Sequence, residues 1–434
     1  MPDKNLADKA YDLITDDGEE RACDAIPDSA CKETPGNYFK NVFSGALSKL
    51  AEQLVSPGTT LPWIMSSLGV PNAFSGALVP IKDAGSLLPQ LFVSAKIRKY
   101  PVRKWFWVIP AVLQALALLL MAFVVLRLEG SFAGYLILLL LLVYSLASGV
   151  ASISFKDVIA KTIPKGKRGQ LLALRSTIGG ILTLGAGIFI LQDLEKEQDN
   201  NLLFWVVLSG AFLWILSALF FALISEQAGA TDGGRSPINE LKNGWVIWKK
   251  DANLRIFVLT RGLLMAIPLA QPFFVILGKE ELGNEVTNLG IMVISAGIAN
   301  IISSPFWGRF ADQSSKKLMV WVSLMGIINI SLMAIFPIWP ETWKTIYTFA
   351  GLFLVQVMAH GGARLSRKTY LVDFAPSDER PLYVSLSNTM IGVLTLVGAG
   401  LGTLSSIFGI PVMLFVFVGL LVLALIFALK LKEV

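Results

Sequence analysis

Cysteine and histidine are almost absent from this chain of 434 residues, which has two cysteines and one histidine. Both cysteines, Cys23 and Cys31, fall in the N-terminal tail, so a disulfide scaffold is excluded. The chain also lacks H-E-x-x-H and G-x-S-x-G motifs and any sequence cluster of metal-ligating residues. The sequence therefore predicts no metal site, no cofactor and no enzymatic activity.

Charged residues are scarce as well. They make up 16% of the chain, against 54% hydrophobic residues, and the mean hydropathy is +0.64. A soluble protein of this size needs far more polar surface, so the composition predicts a polytopic membrane protein. Residues 1–38 are acidic, with a balance of −6, and contain no basic n-region followed by an apolar segment, so we expect no signal peptide.

Twelve segments are long and apolar enough for membrane helices of about 20 residues. We number them spans 1 to 12: 39–66, 71–95, 104–127, 131–155, 170–191, 202–224, 253–277, 286–306, 317–338, 343–367, 383–405 and 409–429. The predicted fold is an all-α polytopic membrane protein with six-helix bundles at 39–224 and 253–434. Residues 1–38 form the tail, and residues 225–252 form the middle connection.

Basic residues concentrate in the 2–3, 4–5 and 8–9 loops, whereas the 5–6 and 7–8 loops are net acidic. Because cytoplasmic loops carry an excess of Lys and Arg, both termini and the middle connection are predicted to be cytoplasmic. The membrane is then the plasma membrane, which in a bacterium is the inner membrane. These basic residues lie in short loops, so nucleic-acid binding is not expected.

A stretch of 43 residues, 142–184, recurs 212 residues later as 354–396, with fifteen identities in an ungapped comparison. An offset of about half the chain indicates two similar membrane halves. This architecture is typical of secondary transporters, whose substrate site lies between the halves near the middle of the bilayer.

The 8–9 loop reads G-R-F-A-D-Q-S-S-K-K from Gly308 to Lys317. With two six-span halves, it resembles the major facilitator superfamily, whose loop pattern is G-x-x-x-D-R/K-x-G-R/K-R/K. The 2–3 loop keeps the basic residues but has Lys99 in place of the aspartate. The resemblance implies the fold and alternating access, and it gives no substrate.

Six residues of these loops are expected to act in the conformational change: Gly308, Asp312, Lys316, Lys317, Arg168 and Arg380. Gly308 would let two helices approach closely. Asp312 would accept bonds from a helix N-terminus or a basic side chain, and the lysines would anchor the loop at lipid headgroups.

Proline pairs interrupt the outer halves of spans 1 and 7, which are counterparts in the two halves. Helices broken at corresponding positions indicate a binding site, although the same prolines would also kink helices for packing. The residues of these spans predicted to bind substrate are Gln53, Thr59, Arg261 and Gln271.

His360, Arg364 and Arg367 share one face of span 10 because they are spaced i, i+4, i+7. The resemblance implies that spans 1, 4, 7 and 10 line the cavity. Guanidinium groups suit carboxylate or phosphate recognition, and histidine titrates near neutral pH. Arg364 is therefore predicted to bind substrate and His360 to carry a proton, with a helix-packing role left open for His360.

Ionisable residues in spans 1 and 2 are further candidates, since each costs a few kcal/mol in a membrane. Glu52, Lys82 and Asp83 are predicted to couple protons, with interhelical ion pairs as the alternative. The span 4 counterparts of His360 and Arg364 are Ser148 and Ser152. The sequence therefore predicts a cavity that is basic on the C-terminal half and lined by hydroxyl groups on the N-terminal half.

The leading hypothesis is a proton-linked secondary transporter of a small organic or phosphorylated anion, acting as a monomer with membrane lipid around it. The alternatives are a lipid or lysophospholipid flippase, a multidrug exporter and a membrane sensor. For Cys23 and Cys31, a metal or redox role is less favoured than incidental cysteines in the tail.

Overall fold

The structure is a computed structural model that describes residues 6–15, 26, 28–89, 93, 96–97, 99–165, 167–192, 200–229, 231, 237–283, 285–376 and 379–433. All regular secondary structure in these ranges is helical. The helices that form spans 1 to 6 are 34–54 with 60–67, 72–87, 105–127, 130–162, 168–192 and 200–222. Those of spans 7 to 12 are 252–263 with 266–282, 286–313, 315–334, 346–374, 380–399 with 402–408, and 410–430.

Ten of the described helical segments are long and apolar enough to cross a membrane, and they correspond to spans 3 to 12. They confirm the predicted fold class of a helical membrane protein. Spans 1 and 2 fall short of that criterion for separate reasons. The first helix of span 1 has 21 residues but is too polar, and the helix of span 2 is too short, with 16 residues.

Each set of six spans packs mainly with itself. In the N-terminal half, spans 3, 4 and 6 form the tightest group, and aromatic rings fill its centre. Trp107 of span 3 stacks on Phe221 of span 6 at 4.0 Å between ring centroids, and Tyr144 of span 4 meets Trp214 edge-on at 6.0 Å. The two halves meet along spans 2 and 11 and along spans 5 and 8.

Spans 1 and 7 are both interrupted. The helix of span 1 ends at Leu54 and restarts at Thr60, across the segment that contains Pro57. Span 7 breaks earlier in its helix, at Leu264 and Met265. Pro268 explains the position of this break. Proline has no backbone N–H, so the helical hydrogen bond to the carbonyl of Leu264 cannot form. Pro272, by contrast, lies inside a continuous helix.

The N-terminal tail contains a helix, Leu6–Thr15, that docks on the ends of spans 1, 4 and 5. Tyr11 is fully buried and meets Tyr38 edge-on at 5.2 Å between centroids. Lys167 donates a hydrogen bond to the carbonyl of Thr15. This part of the tail is therefore packed on the bundle. Cys23 lies outside the described residues, and Cys31 ends a helix of four residues.

A buried carboxylate holds together the N-terminal half at the end of the bundle that carries the termini, which we call the termini end. Glu226, just after span 6, accepts hydrogen bonds from the backbone N–H groups of Arg103 (3.0 and 2.9 Å) and Lys104 (2.6 Å). Its carboxylate also pairs with Lys161 of span 4 at 2.7 Å. Glu226 thus stabilises the N-terminus of span 3. The 2–3 loop has no aspartate of its own that could do so.

Candidate functional site

A cavity of about 180 Å³ lies between the two halves, in the middle of the bundle. It is lined by spans 1, 2 and 5 of the N-terminal half and by spans 7, 8 and 10 of the C-terminal half. The space suits a small polar ligand.

Most of the predicted site residues line this cavity. They are Glu52, Gln53, Thr59, Lys82, Asp83, Gln271, His360 and Arg364. Spans 1, 2, 7 and 10 therefore bring together groups that are up to 312 positions apart in the sequence.

Lys49 and Glu52 form an ion pair on the cavity wall, with Lys49 Nζ 3.5 Å from a Glu52 carboxylate oxygen. The two residues are three positions apart on one helix, which places them on the same face. Their side chains are 47% and 34% exposed, although they lie deep in the bundle. The pair is therefore accessible to solvent in the cavity, and a ligand there can contact both charges.

Lys82 and Asp83 also line the cavity, from span 2. No hydrogen bond or ion pair joins either side chain to another described residue, so the interhelical pair considered from the sequence does not form within that part of the chain. Asp83 is near enough to Arg261 and Arg367 for their charges to interact. Lys82 therefore adds a cation to the cavity with no carboxylate bound to it.

On span 10, His360 and Arg364 face the cavity together, as their spacing predicts. Arg364 is exposed to it, and no ion pair occupies its guanidinium among the described residues. Arg367, one turn further on, instead directs its guanidinium to the Met265 sulfur at 3.4 Å, beside the break in span 7. The sequence grouped these residues on one face, and the structure separates Arg367 from the cavity lining.

The breaks in spans 1 and 7 supply the polar far wall of the cavity. Gly58 lies against Gln271, and an added Cβ would come within 2.7 Å of the Gln271 side-chain carbon. Glycine at this position therefore allows the two broken helices to touch. The Thr59 hydroxyl is buried without a described hydrogen-bond partner. The side chain of Gln53 lines the cavity, and its backbone carbonyl accepts a hydrogen bond of 3.2 Å from the Thr60 hydroxyl.

Arg261 was predicted to bind substrate, and the structure places it outside the cavity lining. It is 5% exposed and donates to Ser387 Oγ at 2.7 Å and to Asn388 Oδ1 at 2.9 Å, both on span 11. Its position indicates that it joins spans 7 and 11.

The expected division of charge between the halves is wrong. Ser148 and Ser152 of span 4 are not among the lining residues, and Ser152 bonds to the carbonyl of Gly149. The N-terminal half instead contributes Lys49 and Lys82 to the cavity. Sequence comparison of spans 4 and 10 could not reveal this, because it gives no information on which way span 4 is rotated.

The two halves are closed at the end opposite the termini. Within the described part of the chain two hydrogen bonds join the halves, and both lie there. Lys279 Nζ donates to Ser67 Oγ at 2.7 Å, and Asn72 Nδ2 donates to Glu280 Oε1 at 3.3 Å. Lys279 also lies over the Trp63 ring at 5.1 Å. The sequence analysis did not predict a role for these residues. The only indication in the sequence was a single lysine, Lys279, near the outer end of span 7.

Cavity residues on the termini side are exposed, whereas those on the far side are buried. Lys49 and Arg364 belong to the first group, and Thr59 and Gln271 to the second. The cavity is therefore reached from the termini end, and this conformation is closed at the other end.

The predicted loop residues have mixed outcomes. No atom lies within 4 Å of a Cβ added at Gly308, so the expected close helix approach is absent there. Arg168 donates to the carbonyls of Ile163 and Ala160 at 3.0 and 2.9 Å, which caps the end of span 4. The backbone N–H of Lys317 is capped by Ser314, and the side chains of Asp312 and Arg380 lie outside the described residues.

Residues 269–434 match the family model described as Major Facilitator Superfamily. The fold agrees over the rest of the chain: the crystal structure of the nucleoside transporter NupG aligns with a TM-score of 0.66 and 14% identity, covering 91% of this chain and 98% of that one. The chain thus resembles the major facilitator superfamily in its sequence over residues 269–434 and in its fold as a whole. The sequence resemblance is thereby confirmed, and the cavity occupies the position between the halves that such a fold provides.

Two bacterial proteins have a higher sequence identity to this chain than NupG has. The uncharacterized protein Rv2209 of Mycobacterium tuberculosis (strain H37Rv) is 22% identical over 261 residues, which are 59% of this chain and 50% of that protein. The staphyloferrin B transporter of Staphylococcus aureus (strain NCTC 8325) is 27% identical over 175 residues, which are 39% of this chain and 40% of that protein. The chain thus spans about half the length, or less, of the curated relatives it matches.

Proposed function

We propose that this chain is a secondary transporter of the major facilitator superfamily that moves a small organic or phosphorylated anion, linked to protons, by alternating access. The observation that supports this most directly is the set of charges in the cavity. Three cations, Lys49, Lys82 and Arg364, face it, against the two carboxylates of Glu52 and Asp83. The excess positive charge favours an anion.

Arg364 is the proposed anchor for the substrate. Its guanidinium presents a planar fork that matches a carboxylate or phosphate with two parallel hydrogen bonds. Among described residues it has no carboxylate bound to it, so an incoming anion displaces no internal partner. Lys82 is positioned to act as a second positive contact from the opposite half, and the amides of Gln53 and Gln271 provide orienting hydrogen bonds.

The Lys49–Glu52 pair is the proposed link between anion and proton. An anion that binds Lys49 competes with the Glu52 carboxylate 3.5 Å away. Once separated from Lys49 in a confined cavity, the carboxylate is stabilised by taking up a proton. Asp83 and His360 remain further proton carriers in this proposal, because both line the same space.

The closed end and the exposed end fit one state of an alternating-access cycle. Rocking of the halves about the cavity would open the Lys279–Ser67 contact and close the termini end. The basic loops place the termini end in the cytoplasm by the positive-inside rule, so we propose a plasma-membrane protein, in a bacterium of the inner membrane, closed toward the outside. We expect a monomer, since each chain carries a complete cavity.

Two further features favour a small polar substrate over a lysolipid. The cavity holds only about 180 Å³, and charged and amide groups make up much of its lining. One relative is named for transport of staphyloferrin B, and another, from Staphylococcus aureus, is named a quinolone resistance protein. The first name is that of a carrier of an organic molecule, and the charges of this cavity favour an anionic one here.

Replacing Glu52 with glutamine should uncouple transport from the proton gradient. In proteoliposomes, uptake driven by a pH gradient should fall at least tenfold, because the amide cannot release or take up a proton. Exchange of labelled for unlabelled anion at equal pH should remain within about threefold of the wild type.

The matched control is Glu129→Gln, which removes an exposed carboxylate from the 3–4 loop, outside the cavity. If Glu52→Gln retains gradient-driven uptake while the wild type shows it, Glu52 is not the proton carrier. If the pH gradient does not change uptake of any tested anion by the wild type, proton linkage itself is refuted.

A further inference from the structure

A second, larger concavity lies on the outer face of the C-terminal half, between spans 8, 9 and 10. This groove has a volume of about 640 Å³ and is almost wholly apolar. Its walls are Phe306, Trp307, Phe310, Trp321, Leu324, Met325, Ile328, Asn329, Leu332, Leu352 and Val355. It shares no residue with the charged cavity, so its ligand is of a different chemical class.

The groove follows span 9 lengthwise. Its span 9 residues begin at Trp321 and end at Leu332 with helical spacing, so they form one continuous face. At 1.5 Å per residue, this face is about 16 Å long. That is about half of the roughly 30 Å hydrocarbon core of a bilayer, the depth of one leaflet.

Large apolar side chains of the groove are exposed in the absence of a membrane. Trp321 is 56% exposed and Ile328 61% exposed. Trp307, in contrast, is 5% exposed and is fixed by a hydrogen bond of 2.8 Å to the carbonyl of Met358. The groove therefore has a rigid wall on span 8 and an open side that faces the lipid.

Basic residues continue the groove at its termini end. Lys317 precedes Trp321 by four residues, and Arg309 follows Phe306 by three, so each lies on the helix face that lines the groove. Lys317 and Arg309 are both exposed. No described carboxylate forms an ion pair with either side chain. Two cations thus stand where the headgroup of a lipid in the groove would be.

We propose that this groove is a binding site for one anionic phospholipid of the leaflet at the termini end. One acyl chain packs along span 9 against Trp321 and Ile328. The phosphate and the anionic headgroup bind Lys317 and Arg309, because basic residues at the membrane surface attract anionic lipids at about 1 kcal/mol each.

The site is connected to the charged cavity by hydrogen bonds. Asn329, at the floor of the groove, donates to Gln356 Oε1 at 3.1 Å, and Gln356 Nε2 donates to the carbonyl of Ile267 at 2.7 Å. Ile267 lies two residues after the break in span 7 and precedes Pro268, which lines the cavity. A lipid in the groove therefore packs on the network that holds the broken helix.

The test measures lipid retained by the purified full chain, and it does not depend on transport. The protein is reconstituted in nanodiscs with equal phosphatidylglycerol and phosphatidylcholine, extracted in mild detergent and analysed by native mass spectrometry. The wild type should retain phosphatidylglycerol at least threefold over phosphatidylcholine, at about one per chain. Arg309→Gln with Lys317→Gln should remove this preference, and Ile328→Asp should reduce retention of both lipids.

Matched controls change the same residue types elsewhere on the surface. Lys99→Gln neutralises an exposed lysine of the 2–3 loop, and Leu423→Asp alters an exposed leucine on span 12. Neither should change retention. Equal lipid ratios in the wild type, or equal losses in the controls and the groove variants, would overturn the proposal. Since all these side chains are partly or fully exposed, the variants should fold, which size-exclusion elution verifies.

Discussion

An Arg364→Gln variant should lose most of its affinity for the transported anion. Hydrogen bonds to charged groups contribute about 1.5–3 kcal/mol, so the dissociation constant should rise roughly 10- to 100-fold. Arg364→Lys should recover part of this, because a lysine keeps the charge and loses the planar fork. Binding is measured by calorimetry on the purified protein, with the anion that gives the largest stabilisation of the wild type.

The control for this variant is Arg127→Gln, an exposed arginine at the end of span 3. Its affinity for the anion should match that of the wild type. Arg364 would be excluded as the anchor if Arg364→Gln and Arg127→Gln bound the anion equally well. A loss in both variants would indicate a long-range electrostatic effect without a specific contact.

A Gly76→Val variant should open the end of the bundle opposite the termini. Gly76 of span 2 touches Gly402 of span 11 across the halves, and a Cβ added at Gly76 would lie 2.4 Å from the Gly402 Cα. The nearest atoms to that Cβ, Gly402 Cα and N, belong to the backbone, so they cannot swing aside. Overpacking of this kind costs about 1–3 kcal/mol, which would shift the equilibrium away from this conformation roughly 5- to 150-fold.

The shift can be read by labelling a cysteine at Thr59, which is buried at the closed end. Cys23 and Cys31 are first replaced by serine, which leaves Thr59→Cys as the only thiol. A membrane-impermeant maleimide applied opposite the termini should label Gly76→Val at least fivefold faster than its parent. The control is Gly351→Val, where an added side chain meets open space. Equal labelling of the Gly76→Val and Gly351→Val proteins would show that the Gly76–Gly402 contact does not control this end.

The cavity residues of spans 1, 2 and 10 could be predicted from the sequence because burying an ionisable side chain in a membrane costs free energy. Glu52, Lys82, Asp83, His360 and Arg364 are ionisable groups inside apolar segments, and such groups face a cavity or a partner. The structure places all five on the same cavity.

Arg261 satisfied the same criterion and still lies elsewhere, because a hydrogen-bonding partner on another helix also satisfies a buried cation. Its partners, Ser387 and Asn388, are 126 and 127 positions away. No local pattern distinguishes a cation that meets a hydroxyl and an amide from one that meets a ligand. The rotation of span 4 could not be predicted for another reason. Its apolar residues are spread around the whole helix, so no face of it is marked as facing the cavity.

Sequence motifs were a weaker guide to the loops. The 8–9 loop has the superfamily pattern, yet Gly308 has no close neighbour in this conformation. In the N-terminal half, where the motif lacks its aspartate, Glu226 supplies the carboxylate from 127 positions beyond Lys99. A motif search within one loop cannot find a residue contributed by the end of another span.

The central claim is that the cavity between the halves binds a small anion, and a ligand panel on the wild-type protein tests it most directly. Thermal unfolding in detergent would be followed with organic anions, phosphate esters, lysophospholipids, cations and neutral sugars, at pH 5.5 and pH 7.5. A ligand at one hundred times its dissociation constant stabilises the folded protein by about 2.7 kcal/mol, which such a scan detects. The account predicts stabilisation by one class of small anion, and stabilisation by cations or lysophospholipids alone would contradict it.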